Sequence, residues 1–137
     1  MGGADRSEYV DWGSRMSAQE RQSPMRGEIW WAHFHTDEPG KNRPAVIVST
    51  NGRNSHPRAE TVLAIPLSTL VHKPGLGHLL LSAGETGLRE DRIAWAENIG
   101  VVAKNQLKEP VAGHRPLTNT QICRLAALVR LAMGCVE

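Results

Sequence analysis

From Gly27 onward the chain is a series of short runs of alternating or clustered apolar residues, cut apart by Gly, Pro, Asn and Asp. In Glu28-Ile29-Trp30-Trp31-Ala32-His33-Phe34-His35 the period of two puts Trp30, Ala32 and Phe34 on one apolar face, which predicts a first strand. The next seven positions, Thr36-Asp37-Glu38-Pro39-Gly40-Lys41-Asn42, collect turn formers and predict an exposed loop. Arg43-Pro44 then leads into Ala45-Val46-Ile47-Val48-Ser49, a β-branched run suited to a buried central strand, with Pro44 where a missing donor does little harm. A polar loop containing Asn51, Gly52, Asn54 and Pro57 precedes a third strand from Thr61 to Leu67, ending at Ser68-Thr69. Pro66 within it implies a bulge or an unpaired edge.

Further strands are predicted over Leu76 to Leu81 and Arg92 to Ile99, separated by the turn residues Ser82 to Gly87, with Pro110 to His114 a candidate for one more. The C-terminal segment changes period. Thr118 and Gln121 form a capping-box signature, Ile122, Leu125, Ala126, Leu128, Val129 and Ala132 recur at helical spacing, and Gly134 marks the stop. The pattern predicts a mainly β fold (β+α): a small barrel on which a C-terminal amphipathic helix lays its apolar face. Residues 1–24 sustain neither period and are expected to be a disordered N-terminal extension, leaving residues 25–137 as one domain.

Composition narrows the classes. At 137 residues the chain is too short for two independent cores. No run of 18 or more apolar residues predicts a transmembrane helix, and charges at Asp5, Glu8, Asp11 and Arg15 break any secretory signal, so a cytoplasmic protein without a membrane partner is expected. Cys123 and Cys135 lie in or just past one helix, roughly 18 Å apart at ~1.5 Å per residue, which leaves them as reduced thiols. The net charge of +2 permits an anionic partner without demanding one.

The order of Gly27-Glu28-Ile29-Trp30, a Pro/Gly loop, Asn42-Arg43-Pro44-Ala45-Val46-Ile47-Val48-Ser49 and Ile65-Pro66-Leu67-Ser68-Thr69 resembles the MazF/PemK family of toxins, over about residues 25 to 134. The resemblance implies an SH3-like or CcdB-like barrel of about five to seven strands. It also implies a homodimer, a MazE-like antitoxin as partner, and a sequence-specific, metal-independent and cofactor-free endoribonuclease that cuts single-stranded mRNA. The cut would proceed by attack of the 2′-hydroxyl, giving a 2′,3′-cyclic phosphate and a 5′-hydroxyl. The arginine before the proline and the hydroxyl at the end of the third strand map onto Arg43 and Ser68, with Thr69 the alternative hydroxyl.

That pair suits the chemistry. Attack on phosphorus builds charge on the non-bridging oxygens, which a guanidinium binds through two parallel donors. A hydroxyl adds one more donor, but its high pKa makes it a poor proton acceptor unaided. Glu38, Lys41 and Asn42 in the loop before Arg43, with Arg53, His72 and Lys73, are candidate RNA contacts, and Trp31 is a candidate stacking residue. Taken singly, each has a plainer role: an arginine stem over apolar surface, a hydroxyl satisfying backbone at a strand end, charges solvated on turns. His33 and His35 share a strand face but have no third metal ligand at a recognisable spacing, and Gly100 stands where the family often has a basic residue. Two other readings remain open: a CcdB-like gyrase-binding toxin, and a barrel that binds RNA or peptide without cutting it.

Overall fold

One residue sets the layout of the sheet: Pro66, which has no amide hydrogen to give a neighbouring strand. In the computed structural model, residues 23–69 and 73–135 are described, and they form seven strands and three helices. The strands are β1 (Ile29–Ala32), β2 (Arg43–Ile47), β3 (Thr61–Ser68), β4 (His78–Leu81), β5 (Arg92–Trp95), β6 (Gly100–Ala103) and β7 (Leu107–Pro110). The helices are α1 (Asn51–Ser55), α2 (Ala83–Thr86) and α3 (Asn119–Ala132). All pairings are antiparallel, in the order β4-β5-β3-β2-β1-β7, with β6 also on β3.

Along one edge β3 keeps a single partner, β2, in the register Ala45↔Pro66, Val46↔Ile65, Ile47↔Ala64. Along the other it has two: β6 from Thr61 to Ala64, then β5 at Leu67 and Ser68. Leu63 turns both backbone groups toward β2, since its amide donates to Ser49 Oγ and its carbonyl accepts from Val48. By alternation the nitrogen of Pro66 points to the opposite edge, into the gap between β6 and β5. The unpaired edge expected from Pro66 is therefore confined to one side of a central strand.

The two faces of the sheet carry separate cores. Ile29, Val46, Ile65, Leu67, Leu81 and Ala94 pack with Ile122 and Leu125 of α3. Trp30, Ala32, Phe34, Ala45, Ile47, Val62, Ala64 and Val102 pack on the other side, so the apolar face expected of the first strand is present. Trp31 belongs with the α3 side. α3 buries less than its periodicity predicted: Ile122 and Leu125 are buried, Leu128 and Val129 are half-buried, and Ala126 and Ala132 are exposed.

Several elements depart from expectation. The strands do not close into a barrel; β4 and β7 end the ladder among the described residues. The run Arg92 to Ile99 breaks after Trp95 into a 3₁₀ turn, Ala96–Asn98, which crosses the Pro66 gap and launches β6. The last strand is Leu107–Pro110 on β1, and 111–114 is a turn. The polar loop after Ser49 holds α1, capped by Thr50 and pinned by buried Asn54, whose Nδ2 donates to the Ser49 carbonyl. Buried Glu28 is another surprise: its Oε1 accepts from the Met25 amide and the Trp30 indole. Cys123 and Cys135 are both free and exposed. No described helix is long and apolar enough to cross a membrane. The stretch expected to be disordered lies, up to residue 22, outside the described residues.

Two capping boxes lock the helices to each other. Ser82 and Glu85 cap α2, Thr118 and Gln121 cap α3, and Gln121 Nε2 donates to Glu85 Oε2 at 3.2 Å. The Ser82 amide, chiefly, holds the Glu85 carboxyl below its ordinary range. Gly87 ends α2 with φ +77°, and a Cβ there would stand 2.3 Å from the Gly113 carbonyl oxygen. Gly87→Ala is therefore expected to cost about 2 kcal/mol of stability in a urea melt; an unchanged midpoint would show that the turn relaxes without strain.

Candidate active site

Arg43 opens β2 at the rim of the second core, on the face of Ala45 and Ile47. Its Nε donates to Asp37 Oδ2 at 2.9 Å, and the two side chains are 33% and 12% exposed. Asp37 itself sits in a turn closed by its amide on the Phe34 carbonyl. Because Asp37 takes the Nε side, the terminal Nη pair has no partner among the described residues. A guanidinium held at its base with a free fork is arranged to meet an anion with two donors. In sequence Asp37 reads only as a turn former. An acid six positions before an arginine carries little signal until the loop folds back.

Continuing the β2–β3 register by two residues beyond Ala45↔Pro66 sets Arg43 opposite Ser68. Opposed residues of an antiparallel pair share a face, so Ser68 is on Arg43's side of the sheet and Thr69 is on the other. Ser68 is half-buried and pairs by its backbone with Ile93, and Thr69 is exposed.

A cleft of about 420 Å³ opens at Arg43. It is lined by residues 34–37, by Pro66 and by the 97–101 segment that bridges the Pro66 gap, while Ser68 and Thr69 are not among the lining residues. In that segment Glu97 is fixed from behind. His78 Nε2 lies 3.1 Å from Glu97 Oε1, and His78 Nδ1 accepts the Gly75 amide at 2.9 Å, so the ring proton belongs on Nε2 and points at the carboxylate. The His78 ring stacks on Trp95 with centroids 4.9 Å apart. Gly77 lets the backbone come close: a Cβ there would be 2.9 Å from Glu97 Cδ. Neither His78 nor Glu97 was singled out from sequence, because nineteen positions separate them.

The other candidates scatter. Glu38, Lys41 and Asn42 are exposed and do not line the cleft; the Lys41 carbonyl instead meets His33 Nδ1. Arg53 donates to Thr61 Oγ1 at the far end of β3, roughly 24 Å from Ser68 at ~3.4 Å per residue. Lys73 is exposed, and His72 lies outside the described residues. His35 lines the cleft while His33 does not, and no described cluster of His, Cys, Asp or Glu could hold a metal. Trp31 packs against the α3-side core, away from Arg43.

Comparison with known proteins agrees with this architecture. The chain is 33% identical over 92 residues to endoribonuclease MazF9 of Mycobacterium tuberculosis, which covers 63% of this chain and 78% of that protein. An endoribonuclease solved in complex with its cognate antitoxin from a mycobacterial species has the same fold (TM-score 0.64, 22% identity, 84% of this chain and 99% of that one). So does MazF from Deinococcus radiodurans (TM-score 0.65, 16% identity, 82% and 97%). The model of the PemK-like, MazF-like toxins of type II toxin-antitoxin systems matches residues 25–132, and the chain belongs to that family.

Proposed function

We propose that this chain is the toxin of a type II toxin-antitoxin system, an endoribonuclease that cuts single-stranded RNA with Arg43 and Ser68 at the scissile phosphate. The observation that carries the reading is the Arg43 guanidinium, braced through Nε by Asp37 and free at its fork, at the mouth of a cleft and register-opposite a hydroxyl. The name of the M. tuberculosis relative supports the activity, and the antitoxin in the mycobacterial complex supports the partner.

In the reaction the 2′-hydroxyl gives its proton to solvent as its oxygen bonds to phosphorus, the bond to the 5′-oxygen breaks, and that oxygen takes a proton from solvent, leaving a 2′,3′-cyclic phosphate and a 5′-hydroxyl. Arg43 matches the charge gained by the non-bridging oxygens, and the Ser68 hydroxyl donates to the same charge. Asp37 is a positioning residue: it takes up the guanidinium's third side and so fixes the direction of the fork. The nucleophile belongs to the RNA, so the protein supplies orientation and electrostatics. Of the two hydroxyls left open by the sequence, Ser68 is favoured over Thr69 by the face it occupies.

The working unit is a homodimer, regulated by a MazE-like antitoxin whose acidic, partly disordered segment folds over the cleft. Residues 25–137 form the catalytic domain and the protein works in the cytoplasm.

Purified protein should cut RNA in EDTA, and Arg43→Ala should slow the cut by ~10²-fold or more. A gyrase-binding toxin or a passive binding barrel would leave the RNA whole, and equal cutting by both proteins would assign the activity elsewhere. RNA methylated at the 2′-oxygen, and DNA of the same sequence, should stay intact; efficient cutting of either would remove the 2′-hydroxyl mechanism.

A further inference from the structure

A separate cavity of about 760 Å³ opens at the other end of β3 from Arg43. Thr61 and its register partner Ala103 belong to its wall, and Thr61 precedes Ser68 by an odd number of positions, so this wall is on the opposite face of the sheet from the cleft. Pro57, Ala59 and Ala103 make the wall apolar in part, and His56 and Lys104 bring donors. His56 Nδ1 accepts the Arg58 amide at 3.1 Å, so the ring proton belongs on Nε2, and Lys104 Nζ donates to the His56 carbonyl at 3.2 Å. Behind Thr61 stands Arg53: its Nη2 donates to Thr61 Oγ1, and its Nη1 is buried without a hydrogen-bond partner among the described residues. Glu60 is the acid in the wall, yet its carboxylate pairs with none of Arg53, Arg58 and Lys104 among the described residues. The cavity therefore presents uncompensated positive charge beside an apolar surface.

The chain joins its folded domain at this cavity. Pro24 is fully buried, the Arg26 amide donates to Asn51 Oδ1 at 2.7 Å, and Ser23, the first described residue, lines the cavity. The segment before it carries Glu8-Tyr9-Val10-Asp11-Trp12, in which the chain's one tyrosine and a tryptophan are interleaved with two carboxylates. We propose that residues 8–12 seat in the cavity of their own chain. Tyr9 and Trp12 lie on Pro57, Ala59 and Ala103, while Glu8 and Asp11 accept from Lys104 Nζ and His56 Nε2 and offset the Arg53 charge. The tether decides between this segment and that of a second copy. Residues 13–22 span at most about 35 Å extended and about 18 Å as a coil, which reaches any point of a cavity that starts at Ser23. So short a tether holds the segment at an effective concentration on the order of 1 mM, far above that of a second chain at micromolar concentration. An intrinsic Kd of about 1 mM then seats it in its own chain about half of the time. Seated there, the segment leaves the Arg43 cleft open, and the inference does not depend on the nuclease reading.

The test is cross-linking of the full chain with a water-soluble carbodiimide, which joins a carboxylate directly to a lysine amine that touches it. An equimolar mixture of unlabelled and nitrogen-15-labelled protein is treated, and the linked peptides are read by mass spectrometry. Glu8 or Asp11 should be joined to Lys104 within one chain, about tenfold more than to Lys41 or Lys73. The double variant Tyr9→Ala and Trp12→Ala keeps the carboxylates and leaves the described domain untouched; it should lower that yield about fivefold, as a tenfold loss of affinity from half occupancy does. Links spread evenly over the lysines, links that join labelled to unlabelled chains, or a yield unchanged in the double variant would each overturn the proposal.

Discussion

The missing amide hydrogen of Pro66 is the constraint from which the site follows. A strand with a full set of donors could have kept one neighbour on each edge. β3 cannot, because at Pro66 there is nothing to give on the side facing β6 and β5, and the neighbour changes there. The chain that links those two strands has to cross the gap, and the crossing is the 3₁₀ turn Ala96–Asn98. That turn places Glu97 and Gly100 across the cleft from the loop that carries Asp37. An irregularity in the sheet thus becomes one wall of a cavity, while the regular β2–β3 register on the opposite edge sets Arg43 against Ser68.

The electrostatic arrangement depends on the same folding back of the chain. Arg43 and Asp37 are close in sequence and are joined by a turn, so their pairing costs little loop entropy. The ion pair is partly exposed, which makes it a modest source of stability. Its value lies in direction, since a guanidinium bonded through Nε can turn only one side outward. Glu97 is treated similarly from the other wall, with one oxygen held by His78 and the other left open.

Much of this fold could be read from periodicity. The apolar face of β1, the buried run of β2, the length of β3, the capped C-terminal helix and the singular position of Pro66 all follow from local rules, because they depend on neighbours within a few residues. β6 and β7 were not foreseen: Gly100-Val101-Val102-Ala103 and Leu107-Lys108-Glu109-Pro110 are too short and too mixed to show a period, and they exist only because β3 and β1 offer them an edge. Barrel closure was expected from the run of short strands and from the family resemblance, neither of which fixes whether the last edge finds a partner. At the candidate site, Arg43 and Ser68 are singled out by the family pattern, and the register sets them opposite each other, whereas the partners Asp37, His78 and Glu97 were not legible, since each depends on contacts between segments distant in sequence or on a loop's return. The loop residues Glu38, Lys41 and Asn42 drew attention by type, and they are exposed outside the cleft lining.

The central claim is that Arg43 and Ser68 stabilise a phosphate under attack by its own ribose. The most direct measurement is the chemistry of the ends produced when the protein digests a defined RNA in EDTA, resolved by mass spectrometry. The account predicts a 2′,3′-cyclic phosphate on the upstream fragment and a free 5′-hydroxyl on the downstream one. A 3′-hydroxyl paired with a 5′-phosphate would mean that water attacked from the other side, and would contradict it.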